Sequence, residues 1–143
     1  MKKNLCYSVA LVASLFVNTA FAQLFVANLN GAAETPVALD TPMGGLAVAF
    51  VTVNDDGSSD ATLIVSAFAN PTPFTASHVH RGPAGVSGGV ICPLSGPEFT
   101  NPVIGSCHFD PDQTADLFIG NLYVNVHTQE HPGGEIRDQL NQI

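Results

Sequence analysis

The strongest restriction on the fold is the repeated change between short apolar runs and clusters of turn-forming residues. Three such runs occupy residues 24–29, 44–53 and 61–69, and each is bounded by Gly, Pro, Asn or Asp. This spacing is typical of antiparallel strands. Residues 54–59, which join the second run to the third, read N-D-D-G-S-S and favour a hairpin turn, because Asn, Asp and Gly tolerate a positive φ.

The second half of the chain continues the pattern with four more strands and one helix. The strands are predicted at 75–81, near 89–94, at 122–127 and at 135–140, the last two paired as a hairpin. Residues 95–110 are rich in Pro, Gly, Ser and Asn and indicate an irregular loop. Asp110 followed by Pro111 is typical of a helix start, so a short helix is expected over 111–119, ending before Gly120.

Many strands, one short helix and no βαβ rhythm indicate an all-β fold. We expect an antiparallel β-sandwich, of immunoglobulin-like or superoxide-dismutase-like type, in which each sheet buries one face. An up-and-down barrel is the alternative.

The first 22 residues have the features of a secretory signal peptide. Lys2 and Lys3 precede an apolar stretch at 11–17, and Ala20-Phe21-Ala22 forms a cleavage site before Gln23. The apolar stretch is shorter than the roughly 20 residues that span a bilayer. We therefore expect cleavage after residue 22, one domain over 23–143, secretion or periplasmic export, and no membrane insertion after cleavage.

The charge of the mature chain restricts its partners. Both lysines lie in the signal segment, which leaves Arg81 and Arg137 against twelve carboxylates, a net charge of −10. So negative a surface repels phosphate backbones and anionic lipids. Nucleic acid is therefore excluded as a partner, whereas metal ions and extracytoplasmic proteins remain.

Cys92 and Cys107 remain after the signal segment is removed, as an even pair in an exported chain. We expect them to form a disulfide, because such bonds persist outside the cytoplasm. Two metal-bound thiolates are the alternative, which the spacing disfavours because it is not C-x-x-C.

The residues most able to carry chemistry lie on three predicted strands. Side chains two positions apart on a strand share a face, so each strand presents a polar face opposite an apolar one. If these strands belong to one sheet, their polar side chains meet on one surface. They are His78, His80, Tyr123, Asn125, His127, Glu135 and Arg137.

Two interpretations of this surface stay open. In the first, His78, His80 and His127 bind copper or zinc, because imidazole is a common ligand of both metals. In the second, the same side chains form a structural network. His78 then bonds the loop at 82–85, His127 caps the hairpin turn, and Arg137 pairs with Glu135 or an aspartate. His108 and His131 fall in predicted loops and are weaker ligand candidates.

Enzymatic chemistry has little support in the sequence. G-x-S-x-G is missing, the mature chain has no lysine for Schiff-base chemistry, and no cysteine stays free if the disulfide forms. The glycines at 82–85 lack the lysine and the helix context of a phosphate-binding loop. Nothing in the sequence distinguishes a catalytic pair among the twelve carboxylates.

The chain resembles the CHRD domain family, named after chordin. The resemblance rests on residues 25–37, on S-H-V-H-R-G-P-A-G at 77–85, on G-N-L-Y-V-N-V-H-T at 120–128 and on P-G-G-E-I-R at 132–137. Asp138 and Val79 stand where the family usually has Gly and Ile. The resemblance implies a secreted β-sandwich without an established enzyme activity. Growth-factor binding by chordin is attributed largely to separate modules that this chain lacks.

A fainter likeness to copper/zinc superoxide dismutase lies in residues 78–80 and 105–111. Such an enzyme needs more histidines than the five present here, and the order of the other motifs differs. The leading hypothesis is therefore a non-enzymatic extracytoplasmic binding module that holds a transition metal. The alternatives are a metal-free structural or adhesion domain and a small dismutase-like metalloenzyme.

Overall fold

The computed structural model describes residues 21–68, 73–96 and 100–143. Residues 1–20, and with them most of the predicted signal peptide, lie outside this range. The strands, in chain order, are β1 (Gln23–Ala27), β2 (Gly44–Val53), β3 (Ser59–Phe68), β4 (Phe74–Arg81), β5 (Gly89–Ser95), β6 (Val103–Phe109), β7 (Leu122–Thr128), β8 (Ile136–Gln139) and β9 (Asn141–Gln142).

The β2–β3 hairpin is the longest pairing, with ten residues on each strand. Inward residues of β2 such as Ala49 alternate with outward ones such as Phe50. At the turn, Gly57 has a φ of +86°, which costs glycine little. Asp56 accepts hydrogen bonds from the backbone N–H and the hydroxyl of Ser58. The predicted hairpin is confirmed.

Two antiparallel sheets pack face to face and confirm the predicted sandwich over a barrel. The first has the order β6-β3-β2-β1-β9, and the second has the order β5-β4-β7-β8. Apolar side chains from both inner faces form one core. Its fully buried members include Phe25, Val51, Leu63, Val65, Val79, Leu122, Val124, Val126 and Ile136.

Short segments cross between the sheets at their edges. Helix α1 (Pro111–Phe118) leads from β6 to β7, with Asp110 and Gln113 forming a reciprocal capping box at its start. Gly120, with a φ of +77°, follows its end. Asn30 caps the 3-10 helix Gly31–Ala33 with its side chain. The backbone of Asn30 also bonds to the backbone of Arg137 in β8, which links the two sheets on this side. No helix among the described residues has the length and apolarity needed to cross a membrane.

The prediction of an irregular loop over 95–110 is wrong in its second half, where β6 pairs with β3 from Val103 to Phe109. Gly105 contributed to the loop assignment, but its role is steric. A Cβ there would lie 2.9 Å from Leu94 Cδ2 and 3.4 Å from Leu94 Cα of β5, so glycine leaves room for the close approach of β5. Inward Val103, Cys107 and Phe109 are buried as in any core strand.

Cys92 and Cys107 form the expected disulfide. Cys92 lies on β5, at the edge of the second sheet, and Cys107 lies on β6, at the edge of the first. The bond therefore joins the two sheets at the side opposite the Asn30 crossing.

Replacing both cysteines by alanine is expected to lower the free energy of unfolding by about 3 kcal/mol, because the bond closes a loop with a sequence separation of 15. Urea unfolding monitored by circular dichroism measures this. Reduced wild-type protein should show a similar loss. An unchanged urea midpoint in both samples would mean that other contacts already hold the edge strands together.

Candidate metal centre

Strands β4 and β7 lie side by side in the second sheet, and their register brings three histidines together. His78 and His80 share one face of β4, while Val79 between them is fully buried in the core. His127 lies on the same face of β7, opposite Ala76 and diagonal to His78. One ring nitrogen of each histidine lies within 4.8 Å of the other two. The cluster is therefore a product of strand alternation and register.

The predicted polar surface does form, but it is buried. Tyr123, Asn125, Glu135 and Arg137 are each no more than 3% exposed. Segments 31–41, 82–88 and 130–135 lie over it and supply hydrogen-bond partners. Strand β7 is consequently buried on both faces, which alternation alone does not reveal.

His80 is oriented by a backbone carbonyl. Its Nδ1 lies 3.0 Å from the carbonyl oxygen of Gly88, which only accepts, so Nδ1 carries the proton and donates. The lone pair is then on Nε2, which is buried and has no hydrogen-bond partner among the described residues. A second contact fixes Gly88, whose N–H donates to the hydroxyl of Tyr123 at 3.0 Å. A Cβ at Gly88 would lie 1.7 Å from the carbonyl oxygen of Arg81, so only glycine fits.

His127 is oriented in the same way. Its Nδ1 donates to the carbonyl oxygen of Pro132 at 3.0 Å, which leaves the lone pair on Nε2. That Nε2 lies 3.1 Å from Nδ1 of His78, so the His78 N–H donates to it in the metal-free arrangement. Two of the three imidazoles thus present Nε2 lone pairs while their Nδ1 protons are held by carbonyls, the usual outer arrangement around histidines that bind metals.

The spacing suits one ion. Zinc–nitrogen bonds of about 2.0–2.1 Å in a tetrahedron place ligand nitrogens about 3.3 Å apart, close to the 3.1 Å between His78 and His127. A ring nitrogen of His80 lies within 4.8 Å of a ring nitrogen of each of the other two. His78 is half-buried, so solvent reaches one side of the cluster. Three imidazoles and an open fourth position are the result.

Arg137 and Tyr123 stack behind the cluster. The rings of His80 and Tyr123 are nearly parallel, with centroids 4.8 Å apart. Cζ of Arg137 lies 3.5 Å from the centroid of the Tyr123 ring. Arg137 donates to the hydroxyl of Thr35 and to the carbonyl oxygen of Val86. A buried cation is thus stabilised by an aromatic face and oxygen acceptors.

The expected ion pair of Arg137 with Glu135 or an aspartate is wrong. Among the described residues, the ion pairs join Arg81 to Asp116 and His108 to Asp60. Glu135 instead accepts hydrogen bonds from the hydroxyls of Thr41 and Thr128, each at 2.6 Å. The expected bond from His78 to the loop at 82–85 is replaced by the bond to His127, whereas His127 does bond the hairpin turn.

The remaining histidines lie away from the cluster. His108 is on β6 of the first sheet, not in a loop as predicted, and its exposed ring bonds Asp60 at 2.8 Å. His131 lies in the turn between β7 and β8, and it is not part of the three-histidine group.

Comparison with protein families decides the relationship of the chain. The family model of the CHRD domain matches residues 25–140, nearly the whole sequence. The chain belongs to the CHRD domain family. No curated protein and no solved structure is significantly similar to it. The suspected family is thereby confirmed, and the histidine cluster lies within the matched range.

All three imidazoles of this CHRD domain are held in the neutral form. Burial, together with the neighbouring His127 and His80, lowers the pKa of His78 from 6.5 to about 4. Burial also lowers the pKa of His80, although the Gly88 carbonyl opposes this. Burial lowers the pKa of His127 as well. Near pH 7 the lone pairs are available without the loss of a proton.

Sequence reasoning missed two groups of the buried polar face. Gly88 carries no side chain and acts through its carbonyl, so no residue pattern reveals it. Glu34 is 6% exposed, its Oε1 has no hydrogen-bond partner among the described residues, and burial raises its pKa to about 7 against the opposing effect of Arg137. Glu34 belongs to the stretch 25–37 that carries the family resemblance, and this membership was the one sign in the sequence that Glu34 matters.

His78 and Glu34 are expected to give opposite pH dependences of stability in metal-free protein. The folded pKa of His78 is depressed, so its contribution is lost as pH falls from 6.5 towards 4. The folded pKa of Glu34 is raised, so its contribution is present below 4.5 and is lost as pH rises towards 7.

Urea unfolding in the presence of a chelator, between pH 4 and 7.5, tests this pair of effects. Relative to wild type, His78→Gln should lose less stability on acidification, and Glu34→Gln should lose less on going from pH 5 to 7. Parallel stability curves for all three proteins would contradict the assigned shifts.

Proposed function

We propose that this CHRD domain is an exported, non-enzymatic module that binds one copper or zinc ion through His78, His80 and His127. The observation that carries the proposal is the buried Nε2 of His80, which has no hydrogen-bond partner among the described residues although its ring belongs to a group of three clustered imidazoles. A buried acceptor left unpaired costs about 1–3 kcal/mol, and a metal ion would remove that cost.

The donor set supports a borderline transition metal. Imidazole nitrogens suit zinc and copper, whereas calcium and magnesium prefer oxygen ligands. The carbonyls of Gly88 and Pro132 hold two of the rings in the tautomer that exposes Nε2. Tyr123, stacked on His80, and Arg137 behind it restrict movement of the His80 ring. The site is thus largely formed before an ion arrives.

Export is supported by three features. CHRD domains are typically extracellular. The disulfide between β5 and β6 is of a kind that persists outside the cytoplasm. Residues 1–22 have the composition of a signal peptide. The negative charge that excludes nucleic acid also favours attraction of metal cations.

A metal-free structural domain is the second candidate, because the hydrogen bonds of His78, His80 and His127 already form a network. This candidate leaves His80 Nε2 unpaired. The dismutase-like candidate has less support. The histidine cluster is the one group of three or more possible ligands within the described range, and Arg137 is too buried to guide an anion.

The substitution His127→Gln is expected to weaken copper(II) or zinc(II) binding by at least tenfold, about 1.4 kcal/mol. Glutamine retains hydrogen bonding but is a weak ligand. Isothermal titration of the mature protein gives the dissociation constants, and near-UV circular dichroism checks that the fold is kept.

His131→Gln is the matched control, because His131 lies four positions after His127 in the turn between β7 and β8 and is not part of the cluster. This substitution should leave the affinity unchanged. Binding should persist at pH 6 and weaken as the pH falls towards about 4, because the lowered pKa values of the imidazoles delay competition from protons. Equal affinity of wild type and His127→Gln would leave the metal-free candidate standing.

A further inference from the structure

The hydroxyl of Tyr123 contacts the loop that lies over the histidine cluster. Tyr123 is buried, and a buried phenol normally finds a hydrogen-bond partner. The partner here is Gly88, at the end of the loop that precedes β5. The hydroxyl accepts from the Gly88 N–H at 3.0 Å and lies 3.4 Å from the Gly88 carbonyl oxygen, to which it donates a longer, weaker bond. One hydroxyl thus contacts both peptide groups that flank the Cα of Gly88.

The backbone at Gly88 depends on this contact because the sequence gives it little other restraint. Gly88 is followed by Gly89, and two successive glycines leave the chain wide freedom of φ and ψ. A Cβ at Gly89 would meet nothing within 4 Å, so close packing does not hold the chain there. Gly88 is only half-buried, so without the phenol its N–H would be able to turn towards water. The Tyr123 hydroxyl therefore selects one orientation of this peptide.

The orientation of the Gly88 carbonyl decides which nitrogen of His80 carries the proton. Nδ1 of His80 donates to that carbonyl at 3.0 Å, so the lone pair is on Nε2. Nε2 itself has no partner, which makes the carbonyl the one hydrogen-bond partner of the His80 ring among the described residues. If the carbonyl turned away, no other such contact would keep the proton on Nδ1. A proton on Nε2 would occupy the nitrogen that faces ligation.

His127 provides an internal comparison, because its carbonyl partner is held by other contacts. Pro132 lies in the turn between β7 and β8. In this turn the Thr128 N–H donates to the carbonyl oxygen of His131, and the His131 N–H donates to the Thr128 hydroxyl. Neither contact involves Tyr123. The tautomer of His127 is therefore independent of the Tyr123 hydroxyl.

We propose that Tyr123 is a positioning residue for His80: its hydroxyl fixes Gly88, and the Gly88 carbonyl then holds His80 in the tautomer that presents the Nε2 lone pair. The ring of Tyr123 also packs against His80, but phenylalanine would provide the same stacking, so the hydroxyl is the group that sets the tautomer. The effect on metal affinity rests on the function proposed above, whereas the effect on the tautomer does not.

The substitution Tyr123→Phe, which removes only the hydroxyl, tests the proposal. Long-range proton–nitrogen NMR spectra of the metal-free mature protein near neutral pH distinguish protonated from bare ring nitrogens. His80 should carry its proton on Nδ1 in wild type and become a mixture of both tautomers in Tyr123→Phe, while His127 stays unchanged. The zinc dissociation constant, measured by isothermal titration, should rise about tenfold, since loss of an outer partner of a metal-binding histidine costs roughly 10–100-fold.

Ser59→Ala is the matched control, because Ser59 is fully buried and its hydroxyl bonds the hydroxyl of Thr114 in helix α1, away from the cluster. It also removes one buried hydroxyl, and it should leave both tautomers and the zinc affinity unchanged. An unchanged His80 tautomer in Tyr123→Phe would overturn the proposal. An equal change at His127 would also overturn it, since that would indicate general loosening of the fold.

The two measurements separate this proposal from the proposed function. Wild type that binds no zinc, with a His80 tautomer that still responds to Tyr123→Phe, would refute the metal site and support the positioning role. Equal zinc affinity of wild type and Tyr123→Phe, when both bind zinc, would refute the positioning role and leave the metal site standing.

Hydrogen exchange of wild type decides the matter if Tyr123→Phe fails to fold, which urea unfolding would reveal. The N–H of Gly88 should exchange more slowly than the N–H of Gly133, an exposed glycine in the turn between β7 and β8, because the Tyr123 hydroxyl bonds it. Equal exchange rates of the two glycines would overturn the proposal.

Discussion

Strand β7 is buried on both of its faces, and the arrangement of the candidate site depends on this constraint. One face packs into the core between the sheets, as any sandwich strand does. The other carries Tyr123, Asn125 and His127, whose polar atoms lose water and must find partners. The connecting segments over this face provide those partners, so the loops fix the side chains and the side chains fix the loops.

Backbone carbonyls are the decisive partners for the histidines. A carbonyl only accepts, so the contacts from Gly88 and Pro132 assign the proton to Nδ1 and leave Nε2 free. The ring of Tyr123 then packs against His80, and Arg137 packs against Tyr123. Arg137 is a buried cation without a carboxylate in ion-pair contact among the described residues, and Glu34 nearby has a pKa of about 7. The charge balance of this face therefore changes near neutral pH.

Local patterns were sufficient to predict much of this structure. Strict alternation identified β7 and the shared face of the histidines, and the D-D-G turn and the Asp110-Pro111 start identified the β2–β3 hairpin and helix α1. What remained hidden depends on contacts between distant segments. The Gly105 position in β6 is explained only by the approach of Leu94, and the role of Gly88 only by Arg81 and Tyr123. The partners of Arg137 lie on loops far away in sequence, so residue spacing did not indicate them.

A crystal structure of the protein with zinc(II), with the metal located by anomalous scattering, tests the central claim most directly. We expect one ion about 2.0–2.1 Å from Nε2 of His80, from Nε2 of His127 and from a ring nitrogen of His78, with a water molecule in the fourth position. The Nδ1 contacts to Gly88 and Pro132 should persist. Zinc found only at exposed groups such as His108 and Asp60, with the three clustered imidazoles still bonded as in the metal-free arrangement, would contradict the account.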